Sequence, residues 1–346
     1  NSKLTYETVD KLNAGIDVAL WGGRVRANFD IYKNTVNNML IYKPLEPYFG
    51  YEFRPENSGK MENVGWDAYA FFRIVNARNF KWDIEANVAQ VKNQILAIEN
   101  DKFITEMDDY NVVSMVGAPA SSFYGYQYNG VYSTTAEAQL ANLVNDKGVA
   151  YKAGDAKFED ISGAQGTPDG VINDYDKKVI GSMLPEFTGG FTNTFIYKRW
   201  SLSAFVNFVS GNEVFNYVRF KNESMIDFAN QSSNVLNRWQ YEGQQTDVPR
   251  ALWGDQVGNS DFSSRWIEDG SYLRLKTLCL SYKIPNEFLV FKNAEFYISA
   301  TNLITLSNYL GYDPEFSYSY QLIDQGVDYG QTPSPRQFLV GIKIGL

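Results

Sequence analysis

The stretch that decides the fold is RQFLVGIKIGL, Arg336 to Leu346, at the end of the chain. Phe338, Val340, Ile342, Ile344 and Leu346 are apolar and alternate with Leu339, Gly341, Lys343 and Gly345. Period-two alternation gives a strand with one apolar face and one small or charged face. An apolar strand of this kind at the edge of a soluble sheet invites aggregation. A strand that closes a membrane barrel is paired on both sides, and its apolar face meets lipid. Both a sandwich edge and a barrel-closing strand fit this stretch alone.

Working back from it, the same alternation recurs. Leu12, Ala14, Ile16, Val18 and Leu20 lead to Gly22-Gly23, read as a two-residue hairpin turn. Val25, Ala27, Phe29 and Ile31 return, against Arg26, Asn28 and Asp30. Val64 to Phe72, Trp82 to Val88, Trp200 to Phe208, Leu278 to Ile284 and Phe296 to Ala300 repeat the pattern. In one strand the parity switches between Leu273, Leu275 and Leu278, Leu280, which predicts a bulge near Lys276. Connections alternate short and long. Short ones fall at 22–23, 76–79, 198–199 and 285–291, long ones at 43–59, 96–185, 219–265 and 306–334. Short periplasmic turns and long outer loops are the pattern of an outer-membrane barrel. A sandwich has no reason to sort its loops in this way. Trp21, Phe80, Trp82, Tyr197, Trp200 and Tyr282 sit beside the short turns, where an interfacial girdle belongs. The fold class is therefore all-β. About nine antiparallel strands form the C-terminal part of a larger transmembrane barrel, since single-chain bacterial barrels carry even strand numbers. Residues 1–346 are read as that one portion, with the loop 96–185 inside it and the plug domain absent.

Composition removes several function classes. Aromatics make up 16% of the chain, enough for both girdles and ligand platforms. There is no His, which excludes His triads, His general acids and His-ligated zinc. Net charge is -9, which argues against a nucleic-acid partner. Cys279 is the only cysteine and can form no internal disulfide. No apolar run reaches the length of a membrane helix. No phosphate loop, nucleophile motif or fixed carboxylate pair appears, so the chain is read as a non-enzyme. The chain starts at Asn1 without an export signal, which suggests a fragment.

Several stretches carry a family resemblance: SFYGYQYNGVY (122–132), DGVINDYDKKVIG (169–181), SRWIEDGSYLRLKTLCLSY (264–282) and ISATNLITLSNYLGYDPE (298–315). They resemble the SusC/RagA-type TonB-dependent outer-membrane transporters of Bacteroidetes, in the family's order. The resemblance implies a barrel of about 22 strands with a plugged lumen. It implies a cell outer-membrane location, energy supplied through TonB, a SusD-like surface lipoprotein as lid, and oligosaccharide or peptide substrates. A surface-exposed, β-rich glycan-binding module without transport is the competing reading.

Candidate sites lie in the long loops. Skipping 164–168, residues Asp160, Ser162, Asp169, the Val171 carbonyl, Asn173 and Asp176 fall on the ligand places of an EF-hand loop, with Gly170 on its turn. The resembling family often carries an uninterrupted version. No cofactor is required, and a structural calcium is the candidate. Tyr124, Tyr126, Tyr128 and Tyr132 alternate and could stack on sugar rings or pack the loop. Trp253, Tyr309 and Tyr312 are further candidates for substrate or lid contact. Thr134 to Glu137 reads as a capping box before Ala138, Leu140 and Leu143.

Overall fold

The computed structural model describes residues 4–45, 48, 50–163, 165–285, 293–316 and 321–345. Nine strands form one antiparallel sheet: β1 Thr8–Leu20, β2 Val25–Pro44, β3 Phe53–Asn76, β4 Phe80–Ala97, β5 Phe187–Tyr197, β6 Trp200–Ser210, β7 Tyr272–Lys283, β8 Asn293–Ser307 and β9 Gln337–Gly345. Each pairs with its neighbour in sequence order, as in an up-and-down barrel wall. β1 and β9 are the two edges. Leu346 lies outside the described residues.

The register aligns the apolar positions across strands. One row runs Phe80, Tyr197, Trp200, Tyr282, Phe296, Ile342. These rings sit beside the short turns, and Trp200 lies 4.7 Å from Tyr282 between ring centres. Trp82 stands one row further in and stacks on Phe195 at 5.6 Å. Beyond this girdle come rows such as Ala86, Phe191, Val206, Leu275, Ile304 and Ile16, Phe29, Ala68, Val88. The band is about ten residues tall along each strand, the length a tilted strand needs to cross a bilayer. Its side chains are not packed on a second layer. Leu12 is 70% exposed, Ile16 61%, Phe338 74% and Val340 63%. Both the sandwich and the glycan-binding module require these side chains to meet in a dry interior.

The opposite face is polar: Arg26, Asp30, Asp67, Asp83, Glu85, Thr192, Thr194, Ser203 and Ser299 share it by register. Arg73 donates to both Asp83 oxygens at 2.9 Å, and the Arg26 guanidinium lies over the Phe71 ring at 4.3 Å.

The ladder slips opposite Phe205 and Val206, which leaves Lys276 unpaired between Leu275 and Thr277. The parity switch in the sequence marked that bulge. Three expectations change. The first hairpin turn takes Trp21 to Arg24 rather than two residues, with Trp21, Gly22 and Gly23 all at positive φ. The connection read at 43–59 shrinks to 45–52, because β2 and β3 run for 20 and 24 residues. They project roughly ten residues, ~30 Å, past the apolar band. The loop read at 219–265 widens to 211–271. Its ends, Glu213–Asn216 and Ile267–Asp269, pair with each other and not with the wall.

The dry core of the protein is in the long loops. Tyr110, Phe123, Phe215, Phe220, Trp266 and Val327 pack together, and Trp266, Phe123, Phe215 and Val327 are fully buried. They come from three different connections, so the loops form one cap over the outer end of the sheet.

Candidate ligand site in the outer loops

The cap is fastened to the wall and to itself by charge. On the polar face, Arg274 of β7 pairs with Asp313 and, at 2.8 Å, with Glu315, while Lys276 reaches Glu315 at 2.6 Å. Asp313 also accepts the Glu315 and Ser334 amides. Burial alone would raise the Asp313 carboxyl, but Arg274 and these two amides outweigh it and hold it below the usual range. Asp313 precedes Pro314, which favours an extended backbone at Asp313.

Within the cap a cavity of about 430 Å³ opens between the loop after β4 and the loop after β6. Asp109, Asp146, Asp174 and Asp261 line it, with Lys177 and Tyr126. Lys177 pairs with Asp174 at 2.7 Å and lies 5.4 Å from the Tyr126 ring centre. Asp109 is answered by Lys221 at 2.8 Å and by the Tyr217 hydroxyl at 2.9 Å. As a whole residue Asp261 is exposed, yet protein crowds its carboxyl. That burial, then the Asp255 charge, pushes it up to about 7. A cavity with this lining favours a cationic or hydroxyl-rich ligand over an anionic one.

The tyrosine stripe is split. Tyr126 and Tyr132 are buried in a second core with Ala138, Tyr151, Phe158 and Val257. Tyr124 is buried too, and the Lys102 ammonium stands 5.5 Å from its ring centre. Tyr128 is half-buried, and its hydroxyl donates to the Asp247 carbonyl at 2.8 Å. The stripe therefore packs the loop, and Tyr126 alone also borders the cavity. Tyr309 is buried and donates to Asp328 at 2.6 Å. Trp253 and Tyr312 are exposed, and Trp253 packs on the still more exposed Phe228 at 4.3 Å. No ring contact joins Trp253 or Tyr312 to the stripe among the described residues. The helix α1, Thr135–Ala141, is capped by Thr134 as the sequence predicts. Glu137 reaches the Ser133 amide, and Leu140 points into solvent while Ala138 is buried.

The EF-hand-like loop satisfies its own acids. Asp176 is fully buried and accepts amides from Ile161, Ser162 and Asn173 at 2.8, 3.1 and 2.9 Å. Asp160 accepts from Gly170 at 2.8 Å, and Asp169 from Val171 at 3.0 Å. Asn173 caps the following turn through the Tyr175 amide. N–H donors already engage all three carboxylates, Asp176 and Asp160 through both oxygens. Among the described residues no group of three acidic, His or Cys side chains is placed to share a metal. This arrangement does not fit calcium.

Sequence reasoning missed Asp261 and Lys177 as neighbours, and missed Phe228. The acids are scattered between 108 and 261 with no local spacing. Phe228 was legible only as an aromatic in a polar loop.

No family model matches the chain. The TonB-dependent receptor P3 of Formosa agariphila is 32% identical, over 99% of this chain and 34% of that protein. Receptor P26 of the same organism is 31% identical, over 99% and 35%. The TonB-dependent receptor SusC of Bacteroides thetaiotaomicron is 23% identical, over 99% and 32%. Among solved structures, the RagAB peptide transporter matches with a TM-score of 0.80 and 25% identity, over 99% of this chain and 36% of that one. The chain thus spans about a third of the length of the curated relatives it matches.

Proposed function

The chain is related over 99% of its length to TonB-dependent receptors of the SusC and RagA type, and from this we propose that it supplies the C-terminal wall and outer loops of an outer-membrane nutrient importer. The observation that carries the reading is the register-aligned apolar band, exposed on one face of a single sheet, with a polar face behind it. Import on this reading is movement without bond chemistry. The wall encloses the path, and the polar face keeps it hydrated. The cap of interlocked loops is the first surface that a nutrient meets. The nutrient is a peptide or an oligosaccharide, the energy comes through TonB, and a SusD-like lipoprotein sits over the loops. A neighbour described as a peptide transporter and a relative named SusC support these finer assignments. The acidic cavity favours neutral or cationic members of either class.

The test is uptake by intact cells. Fluorescent peptides and oligosaccharides are offered to a strain with the full-length receptor, to its deletion strain, and to a strain lacking TonB. Accumulation is expected only when receptor and TonB are both present. Equal accumulation in all three strains overturns the reading.

A further inference from the structure

A groove of about 470 Å³ lies on the lipid-facing side, over β1 to β4 at the outer end of the apolar band. Ala14, Ile31 and Trp66 form one row of its floor, with Leu12 and Val64 in the next row outward. That outer row runs Leu12, Lys33, Val64, Lys92 across four strands. Neighbouring strands lie about 4.8 Å apart, so the two lysines are rooted roughly 10 Å apart, on either side of Val64. Both are exposed and both line the groove. Lys33 pairs with Glu62 at 2.6 Å, whereas Lys92 makes no ion pair among the described residues. Trp66 donates its indole N–H to Gln90 at 2.8 Å, which places an amphipathic ring at the water-facing limit of the band.

We propose that this groove holds one phosphate-bearing lipid of the outer leaflet. Its acyl chain lies on Ile31, Val64 and Trp66, and its phosphate meets Lys92, with Lys33 as the second cation. The inference rests on the membrane placement of the band argued above. Charge complementarity names the occupant. Lipid tails cover any part of the band, but an unpaired ammonium directly above an apolar trough selects an anion with a tail. The floor is on the face of the sheet, so a strand added to the free edge of β1 leaves the groove open. Lysines at such a boundary contribute about a fivefold gain each toward an anionic headgroup.

The experiment is native mass spectrometry of the detergent-purified full-length receptor. It is titrated with dioleoylphosphatidylglycerol and, separately, with neutral dioleoylglycerol. Phosphatidylglycerol is expected to bind more tightly, and its advantage to fall about fivefold in Lys92→Gln and further in the Lys33→Gln, Lys92→Gln pair. Lys92→Arg is expected to keep it, and added salt to erode it in the unaltered receptor. An unchanged preference in the glutamine variants overturns the phosphate assignment. So does complete displacement of the lipid by millimolar inorganic phosphate, which would mark a soluble-anion site. Binding of neither lipid would instead overturn the lipid-facing reading of the band itself.

Discussion

Asp155 and Arg250, which stand in different long loops, meet in a two-pronged ion pair with contacts of 2.7 and 3.1 Å. Asp155 is fully buried and also accepts the Lys152 amide and the Asn259 side chain. The pair fixes the loop after β4 to the loop after β6. Removing Asp155 takes the acceptor from the Arg250 guanidinium, the Lys152 amide and the Asn259 side chain at once, a loss of about 2 kcal/mol or more. Asp155→Ala in the full-length receptor is therefore expected to loosen both loops at once. Hydrogen exchange should show lost protection around 150–160 and 248–260, with the barrel amides unchanged. Loss confined to one loop would count against the lock.

The two faces of the wall should respond in opposite ways to charge. Phe191 stands in the middle of the band, and Thr192 is on the polar face next to it. Arg at the bilayer midplane costs about 2–4 kcal/mol, while a lumen-facing Arg meets water. Phe191→Arg is expected to lower the unfolding free energy of the receptor in vesicles by that amount, read as a lower urea midpoint at unchanged slope. Thr192→Arg should shift it far less. Similar shifts for both would mean that the faces have been read the wrong way round.

Strand order, the wall's two faces and the bulge at Lys276 were legible because each is a local parity signal. Leu273 and Leu275 against Leu278 and Leu280 cannot share a face without an extra residue. The ribbon formed by β2 and β3 was not legible, since Pro44 and Pro55 read as loop breakers. Pro55 pairs with Tyr42 beyond the last β3–β4 pair, Lys60 with Ala97. There the ribbon is two-stranded with a free side, and a missing N–H is tolerated. The cap core was hidden for another reason. Phe123, Trp266 and Val327 are distant in sequence, and nothing in their neighbourhoods shows that they share one interior. The tyrosine stripe was visible as a pattern. Its role was not, because a ring packed in a core and a ring offered to a sugar look alike in sequence.

The acidic loop makes a separate prediction about calcium. Asp176 answers three amides, and Asp160 and Asp169 answer others, so the turn needs no cation to hold its shape. Asp176→Ala strands those donors in a buried place, a loss of about 2 kcal/mol or more. Protease cleavage within 160–176 should rise in that variant and stay unchanged when the unaltered receptor is treated with a chelator. Chelator-induced cleavage, or calorimetric calcium uptake lost in Asp176→Ala, would show that the acids can turn from amide to metal.

The pH response of the cap follows from two aspartates with opposite shifts. Asp313 is held down, so its contribution is present above the ordinary aspartate range and is lost as pH falls below that range. Asp261 is pushed up to about 7, against an ordinary value of 3.8. Between those values the folded cap keeps a proton that the unfolded chain has released. Its contribution is complete below the ordinary value and disappears as pH rises through about 7. Desolvation of the carboxyl is the main cause; among the charges around it Asp255 and Asp146 favour the neutral form, and Lys177 and Lys147 oppose them. The two windows do not overlap, so they can be measured apart. Cap melting in the full-length receptor, followed by proteolysis on heating, is expected at higher temperature at pH 5.5 than at pH 8. Asp261→Asn is neutral in the folded and the unfolded chain alike, so it should raise both values, the pH 8 value more, and abolish the difference between them. If Asp261→Asn retains the full difference between pH 5.5 and pH 8, another group titrates there and Asp261 is ionised throughout.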